Sequence, residues 1–191
     1  MAMAVKMINP RPHERVLDSS CGTGGFLVNA MNHVIQQIEE KAEKQFGKPK
    51  KKWNFEQQAA VRQQISDIAA KNFYGFDINP DLVKATKMNM VMNNDGSGNI
   101  LRANSLLPPH EWDSDFKNTL AKALGINPSE ISHHHKIGFF DVIVTNPPFG
   151  SKIPIDDAHI LNQYEIAGNS KSMPPEQVFI ERCVQFLKPN G

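Results

Sequence analysis

Three short segments hold residue types that could do chemistry together. The first is Asp18-Ser19-Ser20-Cys21-Gly22-Thr23-Gly24-Gly25-Phe26, a glycine loop directly after the apolar pair Val16-Leu17. Glycines without Cβ let a ligand approach the backbone, and a helix starting there offers free N–H groups. Dinucleotide folds space these glycines as G-x-G-x-x-G. Here the third position is Leu27, so a pyrophosphate is disfavoured and a ligand without phosphates lying across the loop is expected. The second segment is Gly75-Phe76-Asp77-Ile78-Asn79-Pro80. A carboxylate at such a strand end can accept hydrogen bonds from both hydroxyls of a ribose. The alternative for Asp77 is an acid at a helix N-terminus, a role Asp81 could fill.

The third segment, Asp141-Val142-Ile143-Val144-Thr145-Asn146-Pro147-Pro148-Phe149-Gly150, is the most specific. An apolar strand runs into two prolines, which fix φ and remove two donors. The result is a rigid turn whose acceptors can face a ligand. Its chemistry suits an exocyclic amine such as adenine N6, whose lone pair is delocalised into the ring. The Asn146 side-chain oxygen and the Pro147 carbonyl can accept the two N–H bonds and favour a pyramidal nitrogen. Phe149 offers a face for a stacked base. Transfer to that nitrogen needs alignment more than a strong base.

The elements positioning these segments follow from apolar patterning. Strands are predicted at Arg15–Asp18, Phe73–Phe76, Ile100–Ala103 and Phe140–Thr145, the last nearly all apolar and therefore central. The end of a helix is expected at Ala2–Ile8, stopped by Asn9 and Pro10. A long helix should run from Gly25 to Lys44 with Leu27, Met31, Val34, Ile35 and Ile38 inward. Another, Asn54 to Ala69, should bury Ala60, Val61, Ile65, Ile68 and Ala69. Pro80 suits a first helical position. The helix it opens carries Met88, Met90 and Met92, expected to pack, and ends at the turn Asn93-Asn94-Asp95-Gly96. Further helices are predicted at Asp113–Ala123 and Pro175–Leu187. The interval from Gly22 to Asp77 far exceeds the ~20 residues usual in dinucleotide folds. An extra helix and the lysine cluster Lys48, Lys50, Lys51 and Lys52 account for it.

With 191 residues, 40% of them hydrophobic and 21% charged, one globular domain is expected. No apolar run approaches the ~20 residues of a membrane helix. Residues Met1–Pro10 lack the apolar centre of a signal peptide. Cys21 and Cys183 make no disulfide framework, so a cytoplasmic location is expected. A net charge of +1 argues against this chain gripping nucleic acid alone. The lysine cluster reads as a solvated linker. His133, His134 and His135 diverge as consecutive side chains and are read as a loop, so no metal is expected. No motif supplies Cys21 with a base, so it is not read as a nucleophile.

Together the segments Cys-Gly-Thr-Gly-Gly-Phe-Leu, Asp-Ile-Asn-Pro and Thr-Asn-Pro-Pro-Phe-Gly resemble, in order, the gamma-type N6-adenine DNA methyltransferases. The nearest resemblance is to the modification subunit of type I restriction-modification systems, over Arg15 to Gly191. It implies an α/β, Rossmann-like fold with a parallel sheet ordered 3-2-1-4 and helices on both faces. It implies a partial catalytic domain spanning 1–191, truncated after the fourth strand, with parts preceding Ala2 and following Gly191 and with Val142–Val144 at an open edge. It implies S-adenosylmethionine as cofactor: Asp18, Cys21, Gly22, Thr23, Gly24, Gly25 and Phe26 around its methionine part, Asp77 on its ribose and Ile78 against its adenine. Asn104 stands where the family usually has an aspartate reading the cofactor's adenine amine. Asn146, Pro147, Pro148 and Phe149 would be the catalytic turn. DNA and a specificity subunit are the implied partners, with a restriction subunit as a further candidate. Rival readings are methylation of protein glutamine or ribosomal RNA, whose enzymes also use an Asn-Pro-Pro turn, and a non-catalytic fragment.

Overall fold

The computed structural model describes residues 1–93, 96–132, 138–149, 154–189 and 191. His133, His134, His135, Gly150 and part of the turn after Asn93 lie outside the described residues. Four parallel strands, β1 (Val16–Asp18), β2 (Phe73–Asp77), β3 (Ile100–Arg102) and β4 (Val142–Ile143), form one sheet in the order β3-β2-β1-β4. The helices are α1 (Ala2–Ile8), α2 (Gly25–Phe46), α3 (Phe55–Asn72), α4 (Pro80–Met92), α5 (Ser114–Leu124), α6 (Pro128–Ser132), α7 (Ala158–Leu161) and α8 (Pro175–Phe186).

Strand side chains alternate between two apolar layers, as a two-residue period requires. Val16, Phe73 and Ile100 face a core built from α2, α3 and α4, where Leu27, Met31, Val34, Ile38, Val61, Ile65 and Met90 are buried. Leu17, Tyr74 and Phe76 face the other layer, where Phe116 and Leu120 of α5, Ile131 of α6 and Phe186 of α8 meet them. The aromatic rings there meet mostly edge to face, with Phe76 and Phe116 centroids 5.1 Å apart. The expected fold class and strand order are therefore observed.

Local chemistry sets the helix ends. Asn9, at φ 54°, closes α1 in the left-handed conformation. Gly47 does the same for α2. Asn54 and Gln57 form a reciprocal capping box at the start of α3. Asn79 accepts from the Asp81 and Leu82 N–H groups ahead of Pro80. The pair α2–α3 fills the long interval between β1 and β2. Its lysine turn is exposed and sits at the far end of the 22-residue α2, roughly 33 Å from the glycine loop at 1.5 Å per residue.

Three expectations need correction. Met88 and Met92 are 66% and 68% exposed, whereas Met90 is buried. Residues two apart on a helix differ by about 200°, so the three cannot share a face. Ala60 is exposed beside buried Val61, because neighbours on a helix point about 100° apart. The third concerns β4, which closes the four-strand order while β1 takes the fully buried central place. Val142 and Ile143 are half-buried, and Phe140 forms a parallel bridge with Leu187, where the chain leaving α8 turns alongside. The Lys188 N–H donates to the Phe140 carbonyl at 2.9 Å, and the Gly138 N–H to that of Gln185 at 2.9 Å. The edge beyond β4 is thus partly covered at Phe140.

Candidate active site

Parallel strands end their ladders on one side of the sheet, and here that side gathers the polar residues. Asp18 ends β1, Asp77 ends β2, Asn104 follows β3, and Thr145-Asn146 follow β4. Between them lies a cavity of about 510 Å³, walled by Ser20, Gly22, Asp77 and Ile78 on one side and Asn104, Asn146, Pro148 and Phe179 on others. That volume suits a small-molecule ligand. A neighbouring hollow of about 580 Å³ shares Ile78, Ala103 and Asn104 and extends along Phe116 and Thr119.

The glycine loop is fastened by backbone and by α4. The Cys21 N–H donates to the Phe76 carbonyl at 2.9 Å, and the Gly22 N–H to Asp77 Oδ2 at 2.9 Å. Thr86 Oγ1 donates to the Gly22 carbonyl at 2.6 Å, and Asn89 Nδ2 to that of Thr23 at 2.8 Å. Gly22 and Gly24 have φ of 55° and 84°, which favour glycine. A Cβ on Gly24 would lie 2.8 Å from Thr86 Cγ2, whereas one on Gly22 would meet nothing within 4 Å. Gly22 therefore faces open space at the cavity wall, and Gly24 serves the packing of α4.

Asp77 does two jobs at once. Oδ2 receives the Gly22 N–H, and Oδ1 receives the Asn79 N–H at 2.8 Å, so the carboxylate joins the glycine loop to the start of α4. Each oxygen keeps acceptor capacity for a ligand hydroxyl. Both readings of Asp77, ligand acceptor and helix-end acid, are thus compatible.

Asp18 is 2% exposed. Burial pushes its carboxyl up to about 6, against the opposing hydrogen bonds from Thr145 and the Ser20 N–H, and nearby Asp77 adds to the rise. Thr145 Oγ1 donates to Asp18 Oδ1 at 2.8 Å and lies 2.8 Å from Ser20 Oγ. Cys21 is 5% exposed, and burial pushes its thiol up to about 12, which disfavours the thiolate form.

Asn104 Oδ1 accepts the Leu106 N–H at 3.0 Å, and its carbonyl accepts Trp112 Nε1 at 3.1 Å. Asn146 and Pro148 are exposed at the cavity rim, Pro147 is half-buried, and Phe149 is 71% exposed. The cavity brings together Gly22, Asp77, Ile78, Asn104, Asn146 and Pro148 from the sequence expectations. Asp18, Cys21, Thr23, Gly24, Gly25, Phe26, Pro147 and Phe149 are not in its wall.

Sequence reasoning missed the hydroxyl cluster of Ser19, Ser20, Thr145 and Ser105, though Thr145 stands within the Asn-Pro-Pro-Phe segment itself. Ser105 Oγ donates to the Ser19 carbonyl at 2.6 Å. It also missed Arg182, which is fully buried. Its Nε donates to Tyr164 Oη at 2.8 Å and its Nη2 to Gln163 Oε1 at 2.7 Å and to the Leu107 carbonyl at 3.1 Å. Tyr164 Oη in turn donates to the Leu106 carbonyl at 2.9 Å, so the segment after the proline turn is clasped to the loop after β3. Arg182 lies on the same α8 face as Val178 and Phe186, a cation interrupting an apolar stripe that the sequence displays.

The sequence pattern of the N-6 DNA Methylase family matches residues 1–191. The chain belongs to that family. A curated relative, the type II restriction enzyme and methyltransferase RM.BcgI of Heyndrickxia coagulans, is 29% identical over 126 residues, covering 66% of this chain and 15% of the relative. Two solved structures resemble the fold over 96% of this chain. One is a modification subunit assigned to a type I restriction enzyme of Vibrio vulnificus YJ016, with a TM-score of 0.53 at 18% identity. The other is the M protein of the type I restriction enzyme EcoKI, with a TM-score of 0.56 at 19% identity. The N-6 DNA methylase chain described here spans 28% and 29% of their lengths. Family membership implies a methyl donor.

Proposed function

We propose that this chain is the cofactor-binding and catalytic part of a protein that transfers a methyl group from S-adenosylmethionine to adenine N6 in DNA, as a modification subunit. The observation that carries this reading is the character of the shared cavity. Its wall joins Asp77 to Asn146 and contains no lysine or arginine among the described residues. Asp18, buried beside it, has no basic partner among the groups that shift it. Two carboxylates with no cation beside them among the described residues suit a cationic sulfonium and oppose a pyrophosphate.

The donor set fits that cofactor. Asp77 would accept from the ribose hydroxyls, Ile78 would pack on the cofactor's adenine, and Asn104 would accept from its amine. Asp18 and the loop from Cys21 to Phe26 would surround the methionine part. Bound there, the cofactor would supply the methyl carbon as its S–C bond breaks with the electron pair left on sulfur, and the amine's spare proton would leave to solvent. The chain's own part is orientation. The Asn146 side-chain oxygen and the Pro147 carbonyl would accept the two N–H bonds of a flipped base, and Phe149 would supply the stacking face. Family membership favours DNA over ribosomal RNA or protein glutamine, the other planar nitrogens served by Asn-Pro-Pro turns.

The test is transfer of labelled methyl by the full-length protein with its partner subunits to duplex DNA, ribosomes and glutamine-containing protein. Label at N6 of adenine in DNA is expected. Label on ribosomes or glutamine with DNA unmodified would overturn the reading.

A further inference from the structure

We propose that Thr145 is a positioning residue, whose hydroxyl fixes the Asn146 turn against the loop that follows β1. The inference rests on the function proposed above. It starts from where the sheet stops. The last ladder bond between β4 and β1 in the described residues is the Val144 N–H donating to the Leu17 carbonyl at 2.9 Å. Beyond it come Pro147 and Pro148, which have no N–H to extend the ladder. The next residue after Val144 makes the connection through its side chain instead. Thr145 Oγ1 donates its one proton to Asp18 Oδ1 at 2.8 Å. With that proton committed, Ser20 Oγ must donate to Thr145 Oγ1, also at 2.8 Å, and Ser19 Oγ donates to it at 3.4 Å. One hydroxyl therefore holds three consecutive residues of the cofactor loop one position ahead of Asn146.

The consequence is geometric. Ser20, Gly22 and Asn146 share one cavity wall, so the distance from bound donor to target amine depends on how β1's loop sits against β4's turn. Removing the hydroxyl leaves each loop's own fastenings intact and loosens only their mutual register. The groups facing Asp18 are Asp77 from β2, Cys21 from the glycine loop, Cys183 from α8, and the Ser20 N–H and Thr145 hydroxyl. Loss of the Thr145 donor moves the Asp18 carboxyl further upward, because a hydrogen bond to the charged form is gone.

The variants are Thr145→Val, which matches the shape without the hydroxyl, and Thr145→Ser, which keeps the hydroxyl. They are compared in the full-length protein with its partner subunits. In Thr145→Val, single-turnover methyl transfer to duplex DNA at pH 8 should fall ~10- to 100-fold, the scale of a small misplacement of reacting groups, with S-adenosylmethionine affinity within about threefold. Its acidic rate limb should move upward, because Asp18 loses a donor that favours its charged form, and Thr145→Ser should restore both rate and limb. A Thr145→Val protein with the parent's rate and an unshifted limb would overturn the proposal, as would a Thr145→Ser protein as slow as Thr145→Val. If the parent methylates no DNA, the functional reading fails separately. The pH dependence of melting still decides the contact, since Thr145→Val must shift it, Thr145→Ser must not, and an unshifted Thr145→Val overturns it.

Discussion

The loop after β1 and the turn after β4 face each other across one cavity, yet they are held in opposite ways. The first bends through glycines at positive φ and keeps its N–H groups, which it uses on Phe76, Asp77 and Cys21. The second is built on prolines that have none, and side-chain hydroxyls bind it to its neighbour. A loop fastened by its own backbone is part of the fold, and a change there costs stability. A turn fastened through one side chain can lose alignment while the fold survives.

Substitution separates the two regions. Gly24→Ala should destabilise the protein by roughly 2–4 kcal/mol, from the left-handed backbone and the forced contact with Thr86. Pro148→Ala, at an exposed position with no donor to lose, should change stability by less than ~1 kcal/mol. Denaturant unfolding of both decides it, and equal losses would erase the contrast.

Asp18 gives a pH signature on the loop side. Its folded-state carboxyl lies at about 6, above the ordinary 3.8. A raised carboxyl stabilises the fold fully below the ordinary value, and that contribution is lost as pH rises through the folded value. Asp18→Asn should therefore gain stability relative to the parent as pH climbs from about 4 to about 6, by up to ~3 kcal/mol. Melting curves across that window test it, and a difference independent of pH would contradict the burial argument.

Smaller effects concern the ligand. Asp77→Ala should weaken S-adenosylmethionine binding by roughly 1.5–3 kcal/mol through the ribose bonds, measured by calorimetry. Since Asp77 also holds the Gly22 and Asn79 N–H groups, Asp77→Asn should lose less. Asn104→Asp should bind equally or more tightly, because an aspartate can still accept the Leu106 N–H while adding charge. A clear loss would give Asn104 another task.

What the sequence made legible follows the same division. Glycine spacing, Asn79-Pro80 and the two-residue alternation in Val16-Leu17 and Phe73-Tyr74 are local, and the elements they mark begin within a residue or two of expectation. The position of β4 was not legible in its own apolar run, which says that a strand is buried and not which strand lies beside it; the family resemblance, not the patterning, placed it at the end of the order. Met88 and Met92 show the limit of composition, since methionine suits packing but spacing decides the face. Thr145 and Arg182 act through contacts with residues far away in sequence, Asp18 and Leu107 among them. No local pattern announces such partners, although Arg182 in an apolar stripe is a visible anomaly.

The most direct test of the central claim is Asn146→Ala in the full-length protein with its partners, with single-turnover methyl transfer to duplex DNA and cofactor affinity measured on the same samples. Transfer should fall by at least ~100-fold, the scale of removing one preorganised polar group at a reacting centre, while affinity stays nearly unchanged. Transfer at the parent's rate would show that the Asn146 turn does not activate the amine.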